Sequence, residues 1–211
     1  MKLNKIIQTT IREFLNEQNN VEINLNDDFW KWFGNSKVVD ENGNPMIYFH
    51  GTANNFNEFM VSDRGAIWFS PSDIFANIFA DWASNPEKNK HPKILNVFIK
   101  SENPFDYENS NHIEDLILKL ANFRFLNKKN GDVRTINDFI NILNSYKDDF
   151  KSGIWTVYEK MMNIDTFIKL GYDGVYMLEF NKKNIAIFKP NQIKSTNNDG
   201  TWNIEDNNIY S

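Results

Sequence analysis

Gly171-Tyr172-Asp173-Gly174-Val175-Tyr176-Met177-Leu178-Glu179, then Phe180-Asn181-Lys182-Lys183, then Asn184-Ile185-Ala186-Ile187-Phe188, is the stretch that decides the fold class. Two apolar runs of strand length flank a short, mostly polar link, the pattern of an antiparallel hairpin. With Phe180–Lys183 as the loop, Glu179 and Asn184 face each other across it. Upstream, Val38-Val39, the turn Glu41-Asn42-Gly43-Asn44 and Met46-Ile47-Tyr48-Phe49 predict a second hairpin, since Asn-Gly between apolar runs is a strong turn signal. Ala66-Ile67-Trp68-Phe69 and Ile94–Ile99 read as strands. Ser70 or Ser72 can cap the next helix, with Pro71 at a tolerated first-turn position, and that helix carries Ile74, Phe75, Ile78, Phe79 and Trp82. Asp27 or Asp28 can cap a short helix bearing Phe29, Trp30, Trp32 and Phe33, which Gly34 ends. Residues 2–18 place Ile6, Ile7, Ile11, Phe14 and Leu15 on one helical face. Further helices are expected over 112–126, 136–147 and 154–169. Short antiparallel strands with segregated helices make an α+β protein. No G-x-G-x-x-G follows a strand, so a doubly wound dinucleotide-binding sheet is not expected.

The 211 residues suit one domain with a helical extension, and 41% apolar and 15% aromatic residues suffice for a packed core. No apolar run approaches the length of a membrane-spanning helix. The amphipathic, charged start without a small-residue cleavage site does not read as a signal peptide. The absence of cysteine excludes disulfides, cysteine zinc sites, iron–sulfur clusters and thiol nucleophiles, and allows a reducing cytosol. A net charge of −5 argues against a broad nucleic-acid surface but leaves room for one local groove. Three histidines without ligand-spaced carboxylates give no metal site, so none is expected.

Three segments can carry chemistry. In Tyr48-Phe49-His50-Gly51-Thr52, a histidine at a strand end can turn its ring into a cleft, and the glycine lets a ligand approach the backbone. The same motif reads equally as a strand-end histidine bonded to a nearby carbonyl. In Arg64 to Ser70 and the following helix, Trp68 and Phe79 can stack on either side of a flat ring, or can both be core. In the hairpin, Glu179 and Asn184 bring an acid and an amide to one spot, although a glutamate there is also an ordinary solvated strand end.

Together these segments resemble the ADP-ribosyltransferase fold, in particular the ADP-ribosyltransferase-like domains of phage and mobile-element polyvalent proteins. The resemblance spans roughly residues 30–200. It runs through Trp32-Phe33-Gly34-Asn35-Ser36-Lys37-Val38-Val39-Asp40, His50-Gly51-Thr52, Ile67-Trp68-Phe69-Ser70 with Ala76 and Phe79, Leu170-Gly171-Tyr172-Asp173-Gly174, and Pro190-Asn191-Gln192-Ile193-Lys194-Ser195. It implies a split, mostly antiparallel sheet core with surrounding helices. The expected organisation is a helical extension over 1–34, a catalytic domain over 35–200 with a helical insert at about 103–165, and a polar tail over 201–211.

The resemblance also implies NAD as substrate and no metal. His50 would bond the nicotinamide ribose 2′-hydroxyl, Gly51 would grip the carboxamide through its backbone, and Thr52 would face the adenosine half. Trp68 and Phe79 would bracket the nicotinamide, where tyrosine is usual, with Ser70 beside them. Arg64 is the candidate for the pyrophosphate, or else a solvated loop arginine. Where well-studied branches have a glutamate opening the last strand, this chain has Asn184; Glu179 resembles the acid of phage-type members, and Glu159 is a secondary candidate. Breaking the ribose–nicotinamide bond builds positive charge on the ribose carbon, which a carboxylate stabilises better than an amide.

The expected activity is mono-ADP-ribosyl transfer from NAD to a macromolecular acceptor with release of nicotinamide. The acceptor would be a host protein rather than nucleic acid or membrane. The resemblance implies a phage or bacterial effector or toxin acting on host machinery, host defence included, in the host cytoplasm. The rivals are an NAD glycohydrolase and a catalytically inactive binding or inhibitor module of the same fold.

Overall fold

A computed structural model describes residues 23, 25–122, 126–127, 133–134, 136–162 and 164–211. The helix expected over 2–18 lies outside these. In chain order the elements begin with α1 (Asp27–Phe33), β1 (Tyr48–Thr52), β2 (Ile67–Phe69), α2 (Asp73–Ala83), β3 (Lys93–Ile99) and β4 (Pro104–Phe105). They continue with α3 (Ser110–Asn122), β5 (Leu126–Asn127), β6 (Val133–Arg134), α4 (Ile136–Ser145) and α5 (Lys147–Lys151). A π-helical turn (Val157–Met162), α6 (Ile164–Lys169), β7 (Gly174–Glu179), β8 (Lys182–Ile187) and β9 (Ile193–Ser195) complete them. The chain is α+β and divides into two compact units. One comprises the described residues up to Met60, Pro71–Glu102 and Lys189–Ser211; the other comprises Val61–Ser70 and Asn103–Phe188.

The first unit holds an antiparallel sheet in the order β1-β3-β9, with β1 at its edge. Asn26, rather than Asp27 or Asp28, caps α1 by accepting from Phe29 N–H at 2.9 Å, and Gly34 ends the helix at φ +57°. Phe29, Trp32 and Phe33 are buried with Ile23, Leu25, Phe98 and Trp202. Phe29 meets Trp202 edge-on at 4.8 Å and Phe98 at 5.1 Å, favoured aromatic geometries. The polar tail expected over 201–211 thus buries Trp202, and Ile209 as well. The buried Lys194 ties this stretch down, its Nζ donating to the carbonyls of Asp206 (3.0 Å) and Asn208 (2.7 Å). Burial pushes its ammonium below the usual lysine range.

The hairpin expected over 38–49 shrinks to one bridge, Val39–Pro45. Pro45 has no N–H to extend a ladder. The Asp40 carboxylate instead closes the turn, accepting from the N–H groups of Asn42 (2.9 Å) and Asn44 (2.8 Å). Tyr48–Thr52 pairs with β3, placing His50 opposite Leu95 and Gly51 opposite Ile94.

In the second unit the sheet order is β2-β8-β7-β4, antiparallel except for β4 beside β7. Phe105 is its aromatic hub, with Phe167 at 5.2 Å, Tyr172 at 5.4 Å and Tyr158 at 5.8 Å. The helix expected over 112–126 is α3, ending at Asn122. That expected over 154–169 is interrupted: Ile154 bridges Leu178 in parallel, and the π-helical turn and α6 follow as separate pieces.

Candidate active site

The β7–β8 turn has two residues rather than four. Phe180 (φ +47°) and Asn181 (φ +58°) form it, and Glu179 pairs directly with Lys182. Positive φ at both central positions is the hallmark of a type I′ turn, whose twist matches that of paired strands. Asn184 therefore stands opposite Met177 and not opposite Glu179. Partners across an antiparallel pair share a face and faces alternate along a strand, so Glu179, Met177 and Asn184 lie on the same side. The acid and the amide are diagonal neighbours, and Asn184 Nδ2 donates to Glu179 Oε2 at 3.4 Å. On β2, Trp68 opposes Ala186, two residues beyond Asn184, so the indole belongs to that face too.

Two further charges join this group. The parallel bridge at Ile154, together with the bond from Leu178 N–H to the Gly153 carbonyl (2.6 Å), lays the chain alongside the end of β7. The helical turn that follows carries Glu159, whose side chain is only 8% exposed and accepts from Arg64 Nη1 at 2.6 Å. Burial pushes the Glu179 carboxyl above the usual carboxylate range; the Asn184 amide opposes this, the Glu159 charge adds to it, and the Arg64 guanidinium opposes it. Arg64, expected to be either a pyrophosphate ligand or a solvated residue, is thus bonded to the secondary acid candidate. Ser70 is buried just beyond β2. On the opposite face of the same sheet, Lys183 bonds Asp106 at 2.9 Å and lies 4.9 Å from the Tyr176 ring centre. The sheet itself thus separates that cluster from Glu179.

The remaining candidates belong to the first unit. His50 and Thr52 lie on one face of β1, Gly51 on the other. The His50 ring meets Phe59 edge-on at 4.9 Å. Thr52 is buried, and its Oγ1 accepts from Asn54 N–H at 3.1 Å. A Cβ on Gly51 would stand 1.8 Å from the Ala76 carbonyl oxygen and 2.8 Å from Ala80 N. The glycine is thus explained by the close approach of the α2 backbone at Ala76 and Ala80, without appeal to a ligand. Ser72, and not Ser70, caps α2 by accepting from Phe75 N–H at 3.3 Å. Phe79 is exposed on α2, edge-on to Phe75 at 5.2 Å and to Trp82 at 5.3 Å.

Sequence reasoning missed that Arg64 and Glu159 form a pair. Nothing in their spacing of 95 positions signals it; it follows from the Ile154–Leu178 bridge. Among the described residues, no three His, Asp or Glu side chains group as a metal site, and no helix is long and apolar enough to cross a membrane.

An acid raised by burial, an amide and an indole on one sheet face form an arrangement able to stabilise a developing cation beside a flat ring. A family model described as ADP-ribosyltransferase in polyvalent proteins matches residues 40–202. No curated protein and no solved structure matches the chain. With most of its length matched by that model, the chain belongs to the ADP-ribosyltransferase family of polyvalent proteins.

Proposed function

We propose that this protein is an NAD-dependent mono-ADP-ribosyltransferase that transfers ADP-ribose from NAD to a macromolecular acceptor. We assign it the role of a phage or bacterial effector that modifies a host protein in the host cytoplasm. Glu179 is the catalytic acid. Its carboxylate accepts a hydrogen bond from the ribose hydroxyl next to the reacting carbon and stabilises the positive charge that grows as nicotinamide departs. Asn184 orients that carboxylate. Trp68 stacks on the nicotinamide, with Ser70 beside it.

The observation that carries this reading is the convergence of Trp68, Asn184 and Glu179 on one sheet face. The net charge of −5 supports a protein acceptor over nucleic acid. The test is incubation with labelled NAD and a bacterial lysate, followed by protease or nuclease. Label released by protease and resistant to nuclease supports the reading; a nuclease-sensitive label contradicts the acceptor assigned here.

A further inference from the structure

The function proposed for Glu179 leaves one contact unused, the Arg64–Glu159 pair. Arg64 Nη1 lies 2.6 Å from Glu159 Oε1, with the arginine side chain 65% exposed and the glutamate nearly enclosed. The turn carrying Glu159 begins three residues after Ile154, which bridges Leu178, the residue before Glu179. The guanidinium, the enclosed carboxylate and the proposed catalytic acid lie within one unit, and the charges of Arg64 and Glu159 both act on Glu179. An arginine bonded to an enclosed glutamate is ordinarily read as a structural ion pair that compensates the glutamate's charge. This one instead meets what a nucleophile needs: a nitrogen with a base at hydrogen-bond distance, beside the group that stabilises the electrophile.

Resting on the reading of Glu179 above, we propose that Arg64 is an acceptor in its own right, a self-modification site at which the protein attaches ADP-ribose to its own guanidinium. The bond between ribose C1′ and the nicotinamide nitrogen breaks, and its electron pair neutralises the nicotinamide ring. Arg64 Nη1 forms the new bond to C1′. The proton it gives up passes to the Glu159 carboxylate at 2.6 Å and then to solvent. The products are nicotinamide, a proton and an ADP-ribosylated arginine that keeps its positive charge, so atoms and charge balance. No further reactant is needed.

The experiment is incubation of the purified full chain with NAD, followed by peptide mass spectrometry and by nicotinamide release measured at several protein concentrations. The proposal expects ADP-ribose on Arg64 at an initial rate per chain independent of protein concentration, as an intramolecular reaction requires. Arg64→Lys should lose that modified peptide, and Glu159→Gln should slow its formation by about 10²-fold, the contribution of a positioned base. The wild-type site assignment decides the matter even where a variant folds poorly. ADP-ribose found only on other residues, or a rate per chain that rises with concentration, overturns the proposal while leaving the transferase reading intact. Absence of both nicotinamide release and label, with lysate present as well, overturns the transferase reading itself.

Discussion

Glu179 illustrates how a single side chain is tuned by what surrounds it. Burial disfavours its charged form, and so does the neighbouring Glu159 carboxylate, while the Asn184 amide and the Arg64 guanidinium favour it. Catalysis as proposed needs the ionised form, so the acid limb of the rate profile should lie above the range of an ordinary glutamate. Glu159→Gln removes a charge that raises the Glu179 pKa and releases Arg64 from its pair, so the limb should move to lower pH. Arg64→Ala removes a charge that lowers it, so the limb should move to higher pH. Nicotinamide release measured against pH checks both signs, and a limb unmoved in both variants would separate Glu179 from the reaction. Trp68→Ala should weaken NAD binding by about 1–3 kcal/mol, the range for an aromatic ring stacked on a base, as read by calorimetry. At this scale the sequence singled out Trp68, Glu179 and Asn184, and the structure places the three on one sheet face. The Arg64–Glu159 bond was not legible, since it depends on a contact far apart in sequence.

Among elements, the β7–β8 hairpin was legible as a hairpin but not in register. Without glycine at Phe180 or Asn181, nothing in the sequence demanded two successive positive φ values, and a four-residue loop was the simpler reading. The face assignment survived because moving a single hairpin turn by whole pairs keeps Glu179 and Asn184 on the same side. A phenylalanine in the left-handed region is unfavourable, so Phe180→Asn should stabilise the second unit by about 1 kcal/mol in urea unfolding. Gly51 teaches the opposite lesson. Its place beside His50 suggested ligand approach, whereas the structure accounts for it by the Ala76 carbonyl of α2. Gly51→Ala should therefore destabilise the fold by about 3 kcal/mol or more, an overpacking effect visible in thermal unfolding without NAD. A loss of activity in that variant would say nothing about binding unless the unfolding curve were unchanged.

For the molecule as a whole, fold class was legible because it rests on local patterns: short apolar strands, a hairpin and capped helices. The division into two units was not, because Val61–Ser70 joins residues 103–188 while the flanking segments join the other unit. The C-terminal stretch was misleading for a related reason. Its polar composition hid Trp202 and Ile209, whose burial depends on α1, β3 and the Lys194 ammonium. Lys194→Ala would leave the Asp206 and Asn208 carbonyls without that donor and should destabilise the first unit by about 2–4 kcal/mol, from the penalty for unpaired buried groups, in denaturant unfolding. The central claim remains the catalytic role of Glu179. It is tested most directly by single-turnover nicotinamide release from NAD, with wild type and Glu179→Gln compared at matched occupancy. The account predicts similar NAD affinity and a rate lowered about 10²-fold or more in the variant, the scale of losing one electrostatic contact to a transition state. Equal rates in the two proteins would contradict it.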